Sequence, residues 1–211
     1  IVSHEDEAHT IVSVNIKTHA RIHLYGIPGV RGSGPGELNT PDDAYVLPNG
    51  TLTVADAYNC RVLFIRSHRI VRQIGTTGVC RHDPPHYLGA VNGDTPLANG
   101  NILGSEVNGS YIDEITPQGK LEWSLQLPIE YPSDPQQLGP DRYLVADYTK
   151  PGGIYEFTRA GKILWSYAPE SGEGMLNHPS LAERLPNGLI AANDDYRQRI
   201  VIINPKTKRI V

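Results

Sequence analysis

The chain has 211 residues, 39% of them hydrophobic and 20% charged, with a formal net charge of −4. This suits one large domain or two small ones with a real core, and it excludes a strongly basic nucleic-acid binder. Gly (21) and Pro (17) are plentiful without reaching low complexity. No apolar run approaches the ~20 residues that span a bilayer, and no charged-then-apolar leader opens the chain.

In chain order, Val2-Ser3-His4-Glu5 is a short apolar run ending in an acid. Residues 1–26 read as three strands of a sheet whose innermost strand is missing. The next unit, about 41–75, is complete. Asp43 to Leu47 leads into Pro-Asn-Gly, Thr51 to Ala55 alternates, Arg61 to Ile65 follows, and Arg66-Ser67-His68 turns the chain into Arg69 to Ile74. The pattern recurs over about 94–125, 132–167 and 179–211, with inner strands predicted near Thr95–Ala98, Pro135–Leu138 and Ser180–Leu185. Trp123 and Trp165 fall on equivalent outer strands.

Three registers move together. Leu47, Leu97, Leu138 and Leu185 are spaced 50, 41 and 47 residues apart. The acids Glu5, Asp56, Glu106, Asp147 and Asp194 are spaced 51, 50, 41 and 47. The basic residues Arg21, Arg69, Lys120, Lys162 and Arg209 are spaced 48, 51, 42 and 47. Four short strands in each period are the pattern of a propeller blade, and no apolar spacing of helical period competes with it. The predicted fold is all-β: a single β-propeller domain over 1–211, with four full blades of four antiparallel strands and one partial blade. The ends imply either a fragment of a longer propeller or an incomplete one; a five-blade ring with a three-stranded closing blade is the alternative.

Several constellations are candidates for chemistry. The acidic register reads as a carboxylate ring for a cation such as calcium, or as turn acids bonding backbone N–H groups and Arg61 or Arg199. The residues opening the inner strands, Asp42, Asp43, Asp94, Ser133, Asp134, His178 and Ser180, are expected to face the channel mouth. His178 among these carboxylates is a candidate general base or metal ligand. The loop from Thr76 to Gly93 contains Cys80, His82, Asp83 and His86. With Cys60 these residues could hold zinc; Cys60 and Cys80 could equally form a disulfide, since both come to one end of the same hairpin, or stay free. Tyr45, Tyr58, Tyr131, Tyr148 and Tyr196, with Asp195, lie in or near the upper loops and either stack on a ligand or cap apolar faces. Neither a Gly-x-Ser-x-Gly elbow nor a His-Glu-x-x-His zinc motif is present.

The run Pro41-Asp42-Asp43-Ala44, continued by Leu47-Pro48-Asn49-Gly50 and Val54-Ala55-Asp56-Ala57-Tyr58-Asn59-Cys60-Arg61-Val62, resembles the NHL repeat, and Asn193 to Ile200 is similar. The hairpins Gly119 to Trp123 and Gly161 to Trp165 resemble blades of PQQ-type and arylsulfotransferase-like propellers. The whole chain resembles bacterial NHL/PQQ-like propeller proteins. That resemblance implies six blades in the parent protein, and a range of activities that includes lyases, lactonases, sulfotransferases and binding platforms. The expectation is a platform that binds a protein, glycan or small molecule on its upper face, with no nucleic acid and no membrane span. The alternative is a lyase or hydrolase using His178 with Asp42, Asp43, Asp94 or Asp134. No organic cofactor is predicted; a divalent calcium or zinc ion is the candidate. An even cysteine count favours an extracytoplasmic location.

Overall fold

Each repeat alternates apolar and polar residues over five or six positions, and short turns pair such segments with their chain neighbours. The computed structural model of the chain describes residues 1–4 and 6–211. Every sheet in it consists of strands consecutive in sequence. The first blade has three strands, β1 (Val2–His4), β2 (Thr10–Val14) and β3 (Arg21–Tyr25). The second has β4 (Pro41–Val46), β5 (Leu52–Asp56), β6 (Arg61–Arg66) and β7 (Arg69–Ile74). The third has β8 (Val91–Pro96), β9 (Ile102–Glu106), β10 (Tyr111–Ile115) and β11 (Leu121–Gln126). The fourth has β12 (Pro132–Gly139), β13 (Arg142–Asp147), β14 (Gly153–Phe157) and β15 (Ile163–Tyr167). The fifth has β16 (Ala182–Arg184), β17 (Ile190–Asp194), β18 (Arg199–Asn204) and β19 (Arg209–Ile210). The fold is a five-blade β-propeller, antiparallel throughout. Its helical content among the described residues is two 3-10 turns, Ala57–Asn59 and Asp195–Arg197.

The repeated Asn-Gly has a local cause. Asn49, Asn99 and Asn187 each accept a 3.0 Å bond on the side-chain oxygen from the backbone N–H two residues on. The glycine that follows, at 50, 100 or 188, takes a φ of +79°, +86° or +82°, which a side chain would strain.

Alternation puts successive side chains on opposite faces, so each inner blade packs on both sides. Leu63 and Ile65 of β6 join Ile11 and Leu38 toward the first blade. Val62 and Phe64 join Val91, Ile102 and Ile115 toward the third. Leu103 and Ile112 meet Tyr143, Val145 and Phe157 of the fourth blade. Leu144 and Ile154 meet Ala182, Ile190, Val201 and Ile203 of the fifth. Among the described residues no such cluster joins the fifth blade to the first, and Ile200 on β18 is 73% exposed.

Trp123 stands opposite Glu114, and Trp165 opposite Glu156, at equivalent places on β11 and β15. Their indole N–H groups donate to Arg159 O (3.0 Å) and Pro205 O (2.8 Å), each on the outer turn of the following blade. Two inner strands differ from expectation. β8 begins at Val91, ahead of Thr95, with a bulge between Val91 and Gly93. β16 is cut to three residues.

Candidate functional site: the upper mouth and its acids

The second strand of each four-stranded blade ends in the register acid. Asp56, Glu106, Asp147 and Asp194 are between 0 and 8% exposed. Each accepts a backbone N–H from the segment leading into its own inner strand: Asn39 (2.7 Å), Gly89 (2.8 Å), Tyr131 (2.9 Å) and Asn177 (2.7 Å). Each acid is thereby bonded to the backbone of its own blade. In the second blade Arg61 Nε donates to Asp56 at 2.7 Å, and in the fifth Arg199 Nε does the same to Asp194 at 2.7 Å. Glu5, the first member of the register, lies outside the described residues.

Above these acids a bowl of about 760 Å³ opens at the centre of the upper face. Tyr58 and Tyr196 line it from the two 3-10 turns. Both turns are held by the same backbone pattern: Tyr58 N–H donates to Asn39 O and Tyr196 N–H to Asn177 O. Tyr131 and Tyr148 line it from the ends of β12 and β13, with centroids 5.1 Å apart. Asp42, Asp134 and Asp195 add carboxylates to the lining. Ser133 and Ser180 form part of the floor, where Asn92 donates to Ser133 Oγ (3.3 Å) and Ser133 Oγ to Ser180 O (2.7 Å).

His178 is packed into the tyrosines. Its ring lies 4.1 Å from Tyr196 and 4.9 Å from Tyr148. Its Nδ1 is 2.8 Å from Asn177 Oδ1. None of the ion pairs among the described residues includes it. Asp43, Asp94 and Asp134 lie deeper. Asp134 lines both the upper bowl and a lower one of about 960 Å³ that also holds Asp43 and Tyr45. Asp94 is placed differently from the expectation of a channel-mouth acid. β4 and β8 share a bulge, and Asp94 has the register of Ala44: it pairs with Gly104 as Ala44 pairs with Val54. It is 0% exposed, and neither carboxylate oxygen has a hydrogen-bond partner. Burial first, then the Asp43 charge, pushes its carboxyl well above the ordinary range. Burial and the same neighbours also push Asp134 well up. Asp43 is raised by burial against a side-chain bond with Asp134, and the Tyr45 hydroxyl is raised by burial and then by the Asp43 charge.

The predicted cysteine bridge forms between Cys60 and Cys80, with Cα atoms 5.2 Å apart. Both thiols are therefore consumed, and the zinc set built on Cys60 and Cys80 does not form. His86 is exposed. His82 instead turns inward to Glu106, with Nδ1 3.0 Å from Oε2 and 3.8 Å from Asp113 Oδ2. Its ring stacks on Tyr111 with centroids 3.4 Å apart. Asp113 carries no motif, and its one signal in the sequence is a charge in the middle of the alternating strand Tyr111–Ile115.

No family model matches the chain, and no curated protein does. Among solved structures it is similar to a protein of unknown function from Bacteroides caccae, with 18% identity and a TM-score of 0.69, covering 98% of this chain and 70% of that one. It is similar to virginiamycin B lyase from Staphylococcus aureus, with 17% identity and a TM-score of 0.63, covering 97% of this chain and 62% of the lyase. The WD40 β-propeller domain of Doa1 matches with 11% identity and a TM-score of 0.63, covering 98% of this chain and 62% of that one. The chain thus spans less than two thirds of the lyase and of the WD40 domain. At such identities the likeness is one of fold.

Proposed function

We propose that the chain is a binding platform whose upper bowl takes a small ligand with a cationic, hydrogen-bonding group, such as a free amine or the lysine or arginine side chain of a protein partner. The observation that carries this reading is the set of four tyrosines around a bowl that also contains Asp42, Asp134 and Asp195. Ring faces and carboxylates attract the same kind of group, and Arg31 is the one lysine or arginine in the lining. A lyase or hydrolase reading has less support. His178 bonds Asn177 and packs on tyrosines, while Asp43 and Asp94, two of its four candidate acid partners, sit outside the bowl lining.

The Asp-x-Tyr-x-x-Arg units of the second and fifth blades, with matching bonds and turns, support NHL/PQQ-like kinship. The disulfide supports an oxidising, extracytoplasmic setting. The test is calorimetric titration with a panel of amines, amino sugars and neutral sugars. Cationic members should bind, with affinity falling roughly tenfold or more in Tyr196→Ala and Asp42→Asn, the loss of about 1.4 kcal/mol expected for a removed stacking or charge contact. Equal binding of neutral sugars, or indifference to both substitutions, would overturn the reading.

A further inference from the structure

The third blade departs from the second and fifth at two positions on its third strand. Opposite the register acid, the second and fifth blades place Arg61 and Arg199, whereas the third places Tyr111. Two residues further along that strand the second and fifth blades have the apolar Leu63 and Val201, whereas the third has Asp113, opposite Gly104. The third blade therefore carries two carboxylates, Glu106 and Asp113, without an arginine. Both are 1% exposed, and they abut an apolar seam that includes Val62, Ile74 and Leu88. Glu106 Oε1 and both oxygens of Asp113 have no well-formed hydrogen bond; their nearby polar groups include each other and Ser124.

We propose that His82, Glu106 and Asp113 form a structural site for a divalent transition-metal ion of the zinc type, set between the second and third blades. The three residues each offer a ligand atom, and these atoms all lie within 4.8 Å of one another. One imidazole nitrogen with two carboxylate oxygens is a zinc-type donor set, whereas calcium prefers six to eight oxygens. Bonds of about 2.0–2.2 Å in tetrahedral geometry put ligand atoms roughly 3.3–3.6 Å apart. The Nδ1 distances of 3.0 and 3.8 Å to the two carboxylates bracket that value. His82 Nε2 lies 3.4 Å from Ser124 Oγ; a proton held there leaves the Nδ1 lone pair facing both acids, the usual outer support of a ligating histidine. Gly89 N–H fixes Glu106, and the Cys60–Cys80 bridge anchors the loop that delivers His82. Two buried carboxylates side by side repel each other, and a bound cation removes that conflict. The small space beside the carboxylates is closed by apolar side chains, which suits a clamp better than a reaction site.

The test uses the intact, disulfide-bonded chain, stripped with chelator and titrated with zinc by calorimetry and with cobalt(II) by absorption. One ion per chain is expected, with tetrahedral-type cobalt bands and a raised thermal midpoint. His82→Ala should weaken binding roughly tenfold to a hundredfold, a loss of the size that removing even a supporting group causes. Asp113→Asn should do at least as much, and His86→Ala, on the same loop but outside the cluster, should change nothing. An unbound wild-type chain, or a stoichiometric ion that survives His82→Ala, would overturn the site. His82 is a partly exposed loop residue, so its variant decides the matter even if Asp113→Asn fails to fold.

Discussion

The second and third blades share a backbone plan and solve the same electrostatic problem in opposite ways. Asp56 is 0% exposed and accepts from Asn39 N–H, Asn59 and Arg61. Burial raises its carboxyl above the ordinary range, and those donors with the Arg61 charge hold the rise in check. Glu106 has one backbone donor and the His82 imidazole, with a second carboxylate beside it. A buried acid is thus neutralised within its own strand pair in one blade. In the other it depends on a residue imported by a loop. The second blade is self-sufficient, and the third depends on what crosses the seam.

The largest expected effect tests the self-sufficient side. Arg61→Ala leaves Asp56 buried and unpaired, and should cost about 3–5 kcal/mol in denaturant unfolding. A loss under 1 kcal/mol would mean that Asn59 and the backbone suffice. The next test cuts the tether on the other side. The double variant Cys60→Ser, Cys80→Ser opens a loop with a sequence separation of 20. It should lose about 3 kcal/mol in the chain-entropy picture, and amide exchange should accelerate around His82 more than around Asp56. Equal acceleration at both places would erase the contrast between the blades.

A smaller effect concerns Asp94, another buried acid of the third blade. Its folded-state carboxyl is raised by burial, so the folded chain holds the proton more tightly than the unfolded one. Stability is then full below about pH 4, the ordinary carboxyl range, and is lost as pH rises through the folded-state value. Asp94→Asn should add about 1–3 kcal/mol at pH 8 and nothing at about pH 3.5. A gain independent of pH would show a packing effect instead. The smallest is Trp165→Phe, which drops the indole bond to Pro205 O and should cost about 0.5–1.5 kcal/mol. Trp123→Phe should match it if the fourth and fifth blades meet as the third and fourth do.

The repeat was readable because its physical causes are local. Asn-Gly turns and alternating apolar residues act within one hairpin, so the blade pattern, the tryptophan positions and the cysteine pairing follow from short stretches of chain. Asp94 was harder to place: β4 and β8 carry the same one-residue bulge, so counting back from Asp56 and Glu106 makes Asp94 the counterpart of Ala44 and not of Asp43, and that offset of one residue puts its side chain on the opposite face. Asp113 was invisible as a site residue for a different reason. Its partners are 31 residues upstream at His82 and across a strand pair at Glu106, and no spacing rule links a loop histidine to a strand acid. The gathering of tyrosines around His178 depends on how neighbouring blades are rotated, which each repeat leaves unspecified.

Strands that pair only with their chain neighbours have a kinetic consequence. Every sheet can close by zipping successive hairpins, without waiting for a distant partner to arrive by diffusion. Completed blades then add to one another as nearest neighbours, much as units add along a linear array. Emerging from an export channel or a ribosome, such a chain can consolidate its N-terminal blades while the later ones are still unmade. The apolar seams between blades become the successive checkpoints of assembly. A defect in one seam should then stall the chain at a defined length, and limited proteolysis would read that stall as a ladder with a period of one blade.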